Sequence, residues 1–230
     1  MPTPTPTPTP SILGTFANTL NAGVLGTTLS GANSGGANGL AFDTVVSTGD
    51  ARLVYDNTYT RGVGLSARHT AGPGGNSYYE WNRSLGSPSV WYGRVYLYLG
   101  GLSSGDIRLV RAQGANDDLE LVIEVSRRGT LRIRDAANRV IATSIQPVAT
   151  GAWVRLEWKV NHATGQIELR VFNSPNLTTP TETLVTAAGQ TIGSRPARVQ
   201  MGRSGSQAFS VVFWTDDPAL STTRFVGPVV

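Results

Sequence analysis

Apolar and polar residues alternate along much of this chain, most clearly over residues 153–172, which read WVRLEWKVNHATGQIELRVF. A period of two places apolar side chains on one face of a strand and charged ones on the other. The stretch therefore predicts an antiparallel hairpin of two half-buried strands. Its loop is Asn161–Gln166, and Leu156 and Trp158 face the core.

The charges of this hairpin favour one register. If Lys159 faces Glu168, then Glu157 faces Arg170, and both pairs are of opposite sign. A shift by two residues would set Glu157 against Glu168 and Arg155 against Arg170. Opposite charges directly across a ladder stabilise it by about 0.2–1 kcal/mol each, and like charges destabilise it, so we predict the first register.

Similar alternation, broken by Gly, Asn and Pro turns, recurs along the chain and indicates an all-β fold. The predicted strands are 39–46, 51–56, 62–68, 77–83, 89–99, 106–112, 118–126, 130–135, 139–144, 152–160, 166–172, 181–186, 197–203, 208–215 and 222–226. We predict a two-sheet antiparallel jelly-roll sandwich of about fourteen strands, forming one domain over residues 12–230.

A second hairpin is predicted around Arg127-Arg128-Gly129, with Gly129 in the left-handed conformation. In that register Ser126 faces Thr130, and Glu124 meets Arg132 across the ladder.

The first eleven residues form a predicted extended arm, because residues 2–10 are a strict Pro-Thr repeat. Such a repeat favours polyproline II, about 3.1 Å per residue, hence about 28 Å of semi-rigid chain. The arm could be a terminus without a role or a segment that binds a partner. On the second interpretation the binding residues are Pro2, Pro4, Pro6, Pro8 and Pro10.

Composition excludes some kinds of site. The 230 residues include no cysteine, so disulfides and cysteine-ligated metals are absent. The net charge of +4 comes from scattered arginines, and no basic stripe or nucleic-acid motif is visible, so we expect no nucleic-acid partner. No apolar run approaches the roughly 18 residues of a membrane span, so we expect no membrane partner. The N-terminus also lacks the features of a secretory signal peptide.

Three pieces of the chain resemble the concanavalin A-like, laminin G-like jelly-roll domains. They are ANSGGANGLAFDTV (32–45), GAWVRLEWKVNHATGQIELRVFN (151–173) and FWTDDPALSTTRFVGP (213–228). The sequence is most similar to domains encoded by actinobacteria and their tailed phages, often as virion proteins. The resemblance implies the fold strongly and the function weakly, since this fold carries lectins, glycosidases and structural parts.

Many calcium-holding relatives carry an acidic residue after the first-strand aromatic and another in the last strand. Here Phe16 is followed by Ala17, which leaves Asp216 and Asp217. Two carboxylates from one place rarely complete a calcium shell of about six to eight oxygens, so we expect no metal and no cofactor.

The densest acidic stretch contains Asp118, Glu120 and Glu124, which share strand parity. Glycosidases need two carboxyl groups roughly 5–9.5 Å apart. Glycosidases of the resembled fold carry Glu-x-Asp-x-x-Glu, whereas this chain has Asp-x-Glu-x-x-x-Glu. We therefore expect these acids to lie on a solvated face, with Glu124 beside Arg132. We also expect that the protein is not an enzyme. His69 and His162 are expected at the surface.

One strand combines a core face with a row of phenols and a guanidinium, which suits stacking against sugars or a protein partner. The candidate ligand-binding residues are Tyr92, Arg94, Tyr96 and Tyr98, which Tyr79 and Trp81 could join. The alternative is that this strand is central and buried on both sides.

The resemblance and the arm together favour a structural or accessory protein of a tailed-phage virion, a capsid decoration or a tail accessory. Its expected partners are capsid or tail subunits and further copies of itself, with assembly in the host cytoplasm. The alternative is a lectin-like module that binds cell-surface carbohydrate.

Overall fold

In a computed structural model of the chain, residues 16–82, 88–205 and 207–229 are described. The Pro-Thr arm, with Pro2, Pro4, Pro6, Pro8 and Pro10, lies outside these residues. Its role as a partner-binding segment stays a prediction.

The described residues form fifteen strands, and the fold is an all-β sandwich, as predicted. The strands are β1 (Phe16–Ala17), β2 (Thr44–Ser47), β3 (Arg52–Asp56), β4 (Ser66–Ala71), β5 (Ser77–Trp81), β6 (Val90–Leu99), β7 (Ile107–Gln113), β8 (Leu119–Val125), β9 (Thr130–Arg134), β10 (Val140–Pro147), β11 (Trp153–Asn161), β12 (Gln166–Phe172), β13 (Glu182–Val185), β14 (Arg198–Arg203) and β15 (Val211–Ser221).

The strands form two sheets in which every paired neighbour is antiparallel. The first sheet has the order β13-β12-β11-β6-β15-β4-β3, and β1 pairs with the second half of β15. The second sheet has the order β10-β9-β8-β7-β14-β5-β2. Strands distant in sequence are therefore neighbours in both sheets, as in a jelly-roll sandwich.

The hairpin of β11 and β12 has the predicted register. Lys159 pairs with Glu168, and Glu157 pairs with Arg170. Trp158 is fully buried and meets Trp91 edge to face, with ring centroids 6.2 Å apart. The alternation therefore gave the register. The prediction that β11 is half-buried was wrong, because Arg155 and Glu157 on its charged face are 1% and 2% exposed.

The core lies between the two sheets and is built from the inward positions of both. Leu97 and Leu156 contribute from the first sheet, and Ile123, Ile133 and Met201 from the second. Each of these side chains is at most 1% exposed.

The last strand differs most from its predicted bounds. It runs from Val211 to Ser221 rather than over 208–215, with a bulge between Asp216 and Ala219 where it pairs with β6. Residues 222–226 are not a strand. The bulge allows the chain to continue past Pro218, at which regular strand pairing would lose an amide donor.

The helix of the described ranges is a single 3-10 turn, Gly36–Asn38. No helix in these ranges is long and apolar enough to cross a membrane.

Candidate functional site

The outer face of the second sheet carries a row of charged side chains that the hydrogen-bonding register aligns. Arg108 on β7 is opposite Glu124 on β8, and Glu124 is opposite Arg132 on β9. The next residue along β8, Ile123, points into the core. Because strand side chains alternate between faces, Arg108, Glu124 and Arg132 lie side by side on the face away from the core.

A pocket of about 550 Å³ opens over this row, and we call it the arginine pocket. Its volume is within the roughly 300–1,000 Å³ of typical ligand sites. It is lined mainly by polar and charged groups, namely Ser104, Gly105, Asp106, Arg108, Glu124, Arg127, Arg132, Arg134, Gln207 and Phe209. Four arginines and two acids make the lining net positive.

Two of the arginines are fixed by the acids of the pocket. Arg132 Nη1 lies 2.8 Å from Asp106 Oδ2 and 3.4 Å from Glu124 Oε1. Arg134 Nη2 lies 2.9 Å from the same Glu124 oxygen, and this hydrogen bond raises the pKa of Arg134. The side chain of Glu124 is only 2% exposed. The network holds both guanidinium groups in position at little entropic cost on binding.

The other two arginines are not held in this way. Among residues 16–82, 88–205 and 207–229, no hydrogen bond or ion pair engages the side chain of Arg108 or Arg127. Arg108 extends over Gly205, where an added Cβ would lie 2.8 Å from its Nη1 atom. The pocket therefore presents guanidinium groups whose donors remain available to a ligand.

One wall of the pocket comes from the loop before β15 and is anchored by buried Arg203. Arg203 Nη2 donates to the carbonyl oxygens of Gln207 and Phe209, at 2.6 and 2.7 Å. The Gln207 side chain donates to the carbonyl oxygen of Asp106. Phe209 stays half-buried, and Gly105 packs against its ring so closely that a Cβ there would lie 2.3 Å from Cδ1. The wall thus offers an aromatic surface beside the guanidinium groups.

The structure separates the aromatic residues that the sequence analysis grouped as a ligand site. Tyr79 and Trp81 lie on β5 in the second sheet, each 1% exposed. Their inward positions place them in the core, where Tyr79 stacks on Phe42 with centroids 4.2 Å apart. They do not join the β6 residues, because β5 and β6 belong to different sheets.

Tyr92, Arg94, Tyr96 and Tyr98 share the outer face of the first sheet, as their alternation indicates, but other segments cover much of that face. Tyr96 is fully buried, and its hydroxyl accepts a hydrogen bond from the Val229 amide. Arg94 is 4% exposed and donates to the carbonyl oxygen of Gly227.

The two ends of this row are also covered. Tyr59 stacks on Tyr98 at 4.1 Å between centroids, and Phe225 meets Tyr92 edge to face at 5.1 Å. The burial of Tyr96 and Arg94 agrees with the alternative, in which β6 is buried on both faces. Ligand binding by these four residues stays a prediction.

The expectation of a solvated acidic face was wrong for Glu120. Where β7 pairs with β8, Ala112 is opposite Leu121, and the next residue, Gln113, is opposite Leu119. Glu120 lies between these two leucines and therefore has no residue opposite it on β7. The irregularity changes which face Glu120 presents, and its side chain is completely buried. Burial raises the pKa of Glu120. Glu124 is also buried, but it pairs with Arg132 as predicted.

His69 is a further correction, because it is buried between the sheets rather than exposed. Its Nδ1 lies 2.8 Å from the carbonyl oxygen of Ser77, and its Nε2 lies 2.8 Å from Thr215 Oγ1. Burial lowers the pKa of His69 to about 4. His162 is not at the surface either, because its side chain is only 12% exposed and its Nε2 lies 2.8 Å from Oε1 of the buried Glu120.

Asp216 and Asp217 lie in the bulge of β15, under the C-terminal segment. Arg61 Nε is 2.5 Å from Asp217 Oδ2, so this acid already has a cationic partner. No group of three or more His, Cys, Asp or Glu side chains in the described part of the chain is placed to hold a metal ion.

The arginine pocket was not predicted from the sequence, although one of the contacts in it was predicted. The predicted pair of Glu124 and Arg132 is half of the row, and Arg108 has the same parity on the preceding strand. The pocket wall could not be found this way, since Arg203, Gln207 and Phe209 come from a distant part of the chain.

Comparisons with known proteins give the fold and little else. No protein-family model matches the sequence, and no curated protein matches it. Solved structures do share the fold. An endo-β-1,4-glucuronan lyase from the fungus Trichoderma reesei has a TM-score of 0.62 and 13% identity, over 91% of this chain and 96% of that chain.

Two further structures are similar. The cellulose-induced protein Cip1 has a TM-score of 0.58 and 16% identity, over 79% of this chain and 90% of that one. A Trypanosoma rangeli sialidase has a TM-score of 0.55 and 10% identity, over 94% of this chain and 32% of that one. At these identities the likenesses show the fold alone, a jelly-roll β-sandwich.

The comparison overturns the prediction that the chain is not an enzyme. That prediction rested on a missing glycosidase motif. The fold is shared with a glucuronan lyase, whose reaction is not glycoside hydrolysis, so the motif's absence excludes only one class of catalyst.

Proposed function

We propose that this protein is a carbohydrate-binding β-sandwich whose ligand is an acidic saccharide held in the arginine pocket. The observation that carries the proposal is the pocket itself, where Arg108 and Arg127 offer unengaged guanidinium groups beside the fixed pair of Arg132 and Arg134. A guanidinium group binds a carboxylate through two parallel hydrogen bonds, which gives geometric specificity as well as energy.

The remaining lining suits a sugar rather than a simple anion. Phe209 presents part of an aromatic ring, and Gln207, Ser104 and Asp106 present polar groups next to it. Sugar rings stack on aromatic faces while their hydroxyl groups bond to polar side chains. Carbohydrate-related proteins among the fold's neighbours support this proposal, including one whose name gives β-1,4-glucuronan as its substrate.

The proposal can be tested by measuring affinity for a panel of acidic and neutral polysaccharides. Retardation in gels that contain each polysaccharide would be compared for the wild type and Arg108→Gln. Arg108 forms no ion pair among the described residues, so its replacement removes a ligand contact without breaking an internal one. Arg224→Gln is the matched control, since Arg224 is exposed and follows β15 of the other sheet.

We expect retardation by one or more acidic polysaccharides and none by neutral ones, with affinity about tenfold lower in Arg108→Gln and unchanged in Arg224→Gln. Equal retardation by neutral polysaccharides, or an equal loss in both variants, would contradict an arginine-pocket site.

The tailed-phage virion, with capsid or tail subunits and other copies of this chain as partners, stays a separate prediction. It rests on the sequence resemblance and the Pro-Thr arm. Deletion of residues 2–10 followed by measurement of occupancy on purified particles tests it, and full occupancy without the arm would contradict it. Glycan binding within such a particle is compatible with the arginine pocket.

A further inference from the structure

A second polar row crosses the same outer face beside the arginine pocket. It begins at Arg134 on β9, which is opposite Val122 on β8, and Val122 is opposite Arg111 on β7. It continues from Arg111 to Gln200 on β14 and from Gln200 to Glu80 on β5. Five neighbouring strands therefore contribute to one line of side chains perpendicular to the strands. Arg134 belongs both to this row and to the arginine pocket.

The far end of the row contains buried polar groups that are incompletely bonded. Gln200 is 5% exposed and Glu80 is 3% exposed. Gln200 Nε2 donates to Glu80 Oε2 at 2.7 Å, which directs Gln200 Oε1 elsewhere. That oxygen is buried and has no hydrogen-bond partner among the described residues. Leaving a buried acceptor unpaired is unfavourable, and a ligand hydroxyl group could supply the missing donor.

Arg111 lies at the centre of the row and is likewise unengaged. Within the three described ranges its guanidinium group forms no hydrogen bond or ion pair. Burial lowers the pKa of Arg111, and the neighbouring charge of Arg108 lowers it further. Arg198 adds a third positive charge to this surface. Glu80 partly offsets this repulsion, and Arg198 is paired with Asp117. The guanidinium group of Arg111 itself has no direct partner among the described residues, so its donors remain available to an anionic ligand.

Tyr78 completes the surface on β5. It is half-buried, next to Glu80 and near both Arg111 and Arg198, and burial raises the pKa of its hydroxyl. A neutral phenol there can donate to a sugar oxygen and offer part of its ring to a sugar face.

We propose that Arg111, Gln200, Glu80 and Tyr78 form a second sugar subsite, so that the ligand is an extended acidic polysaccharide lying across the strands from β9 to β5. This inference rests on the proposed function of the arginine pocket and extends it from one saccharide to a chain. Adjacent strands are about 4.8 Å apart, so Arg134 and Arg111 are anchored about 10 Å apart at the backbone. An extended β-1,4-linked chain presents the acidic groups of alternate sugars on the same side, which suits arginines on alternate strands.

The experiment is calorimetric titration with β-1,4-linked glucuronate oligomers, a disaccharide and a hexasaccharide. The wild type would be compared with Arg111→Gln, Arg108→Gln and the control Arg224→Gln. Arg111→Gln removes one of three crowded charges, so we expect it to fold. Tyr78→Phe, which removes only a hydroxyl group, is the second variant for the same subsite.

We expect the wild type to bind the hexasaccharide about tenfold more tightly than the disaccharide. Arg111→Gln should lose this advantage while its affinity for the disaccharide stays unchanged, and Tyr78→Phe should reduce the advantage. Arg108→Gln should weaken binding of both oligomers. Equal affinity of the wild type for both lengths, or an Arg111→Gln variant that keeps the full length advantage, would overturn the second subsite alone. Absence of binding by either oligomer, or full binding in Arg108→Gln, would overturn the arginine pocket and the extension together.

Discussion

The Nε2 atom of His162 lies 2.8 Å from Oε1 of Glu120, a carboxyl group that is completely buried at the edge of the core. The same oxygen accepts a hydrogen bond from the indole of Trp91 at 2.8 Å. Glu120 therefore links the β11–β12 loop, which carries His162, to β6 and β8. Its role in the described structure is to accept the hydrogen bond of the buried Trp91 indole, which would otherwise have no partner, and to hold His162 against the core.

We expect Glu120→Ala to destabilise the fold by about 1–3 kcal/mol, because it leaves the Trp91 Nε1–H group unpaired. Glu120→Gln should cost less, since the amide keeps an oxygen acceptor and burial already disfavours the charged carboxylate. Urea unfolding at neutral pH measures both. A glutamine variant as unstable as the alanine variant would show that the charge of Glu120, rather than its acceptor oxygen, matters.

Gly93 on β6 packs directly against Trp158. A Cβ at Gly93 would lie 2.0 Å from Trp158 Cζ2, so Gly93→Ala should force the indole out of position and cost roughly 1–3 kcal/mol, as overpacked cores do. Trp158→Ala should cost about 3–5 kcal/mol as a core truncation. Thermal and urea unfolding of the two variants and the double variant measure the coupling. If the destabilisations of Gly93→Ala and Trp158→Ala simply add in the double variant, the contact between Gly93 and Trp158 does not cause the instability of Gly93→Ala.

His69 should make stability depend on acid pH. Its pKa is lowered from 6.5 to about 4, so the unfolded chain binds a proton in this interval that the folded chain does not. The stabilisation is complete above about pH 6.5 and falls as the pH drops towards 4, by about 3 kcal/mol in all. Unfolding free energies at about pH 7 and about pH 4.5 should differ less in His69→Gln than in the wild type. Equal pH dependence of the two proteins would contradict the burial of a neutral imidazole.

Asp216 should change the pH dependence of stability in the direction opposite to His69. Burial raises its pKa well above 3.8, and the charge of Asp217 raises it further. A carboxyl group with a raised folded-state pKa contributes stability that is present below pH 3.8 and is lost as the pH rises through the raised value. We expect Asp216→Asn to be more stable than the wild type at neutral pH, with a gain that shrinks on acidification. An Asp216→Asn variant less stable than the wild type at every pH would refute this account.

The sequence was most informative where the determining interactions are local. The register of the β11–β12 hairpin followed from four charges within twenty residues, and Glu124 met Arg132 as the second hairpin required. Both depend only on alternation and on which charges face each other.

Sequence reasoning failed where a single irregularity or a distant segment decides the outcome. The irregular pairing of β7 and β8 alters the face of Glu120, and no residue type in the sequence marks it. The arginine pocket needs β7, β8 and β9 beside a wall that Arg203 holds from β14, which only the strand order reveals.

The arginine pocket is proposed to recognise the acidic groups of a saccharide. The most direct measurement is calorimetric titration of the wild type with one glucuronate oligomer, before and after its carboxyl groups are chemically reduced to alcohols. We expect binding of the acidic oligomer that weakens with added salt, and no measurable binding of the reduced oligomer, whose backbone is the same. Equal binding of the acidic and the reduced oligomer would contradict it.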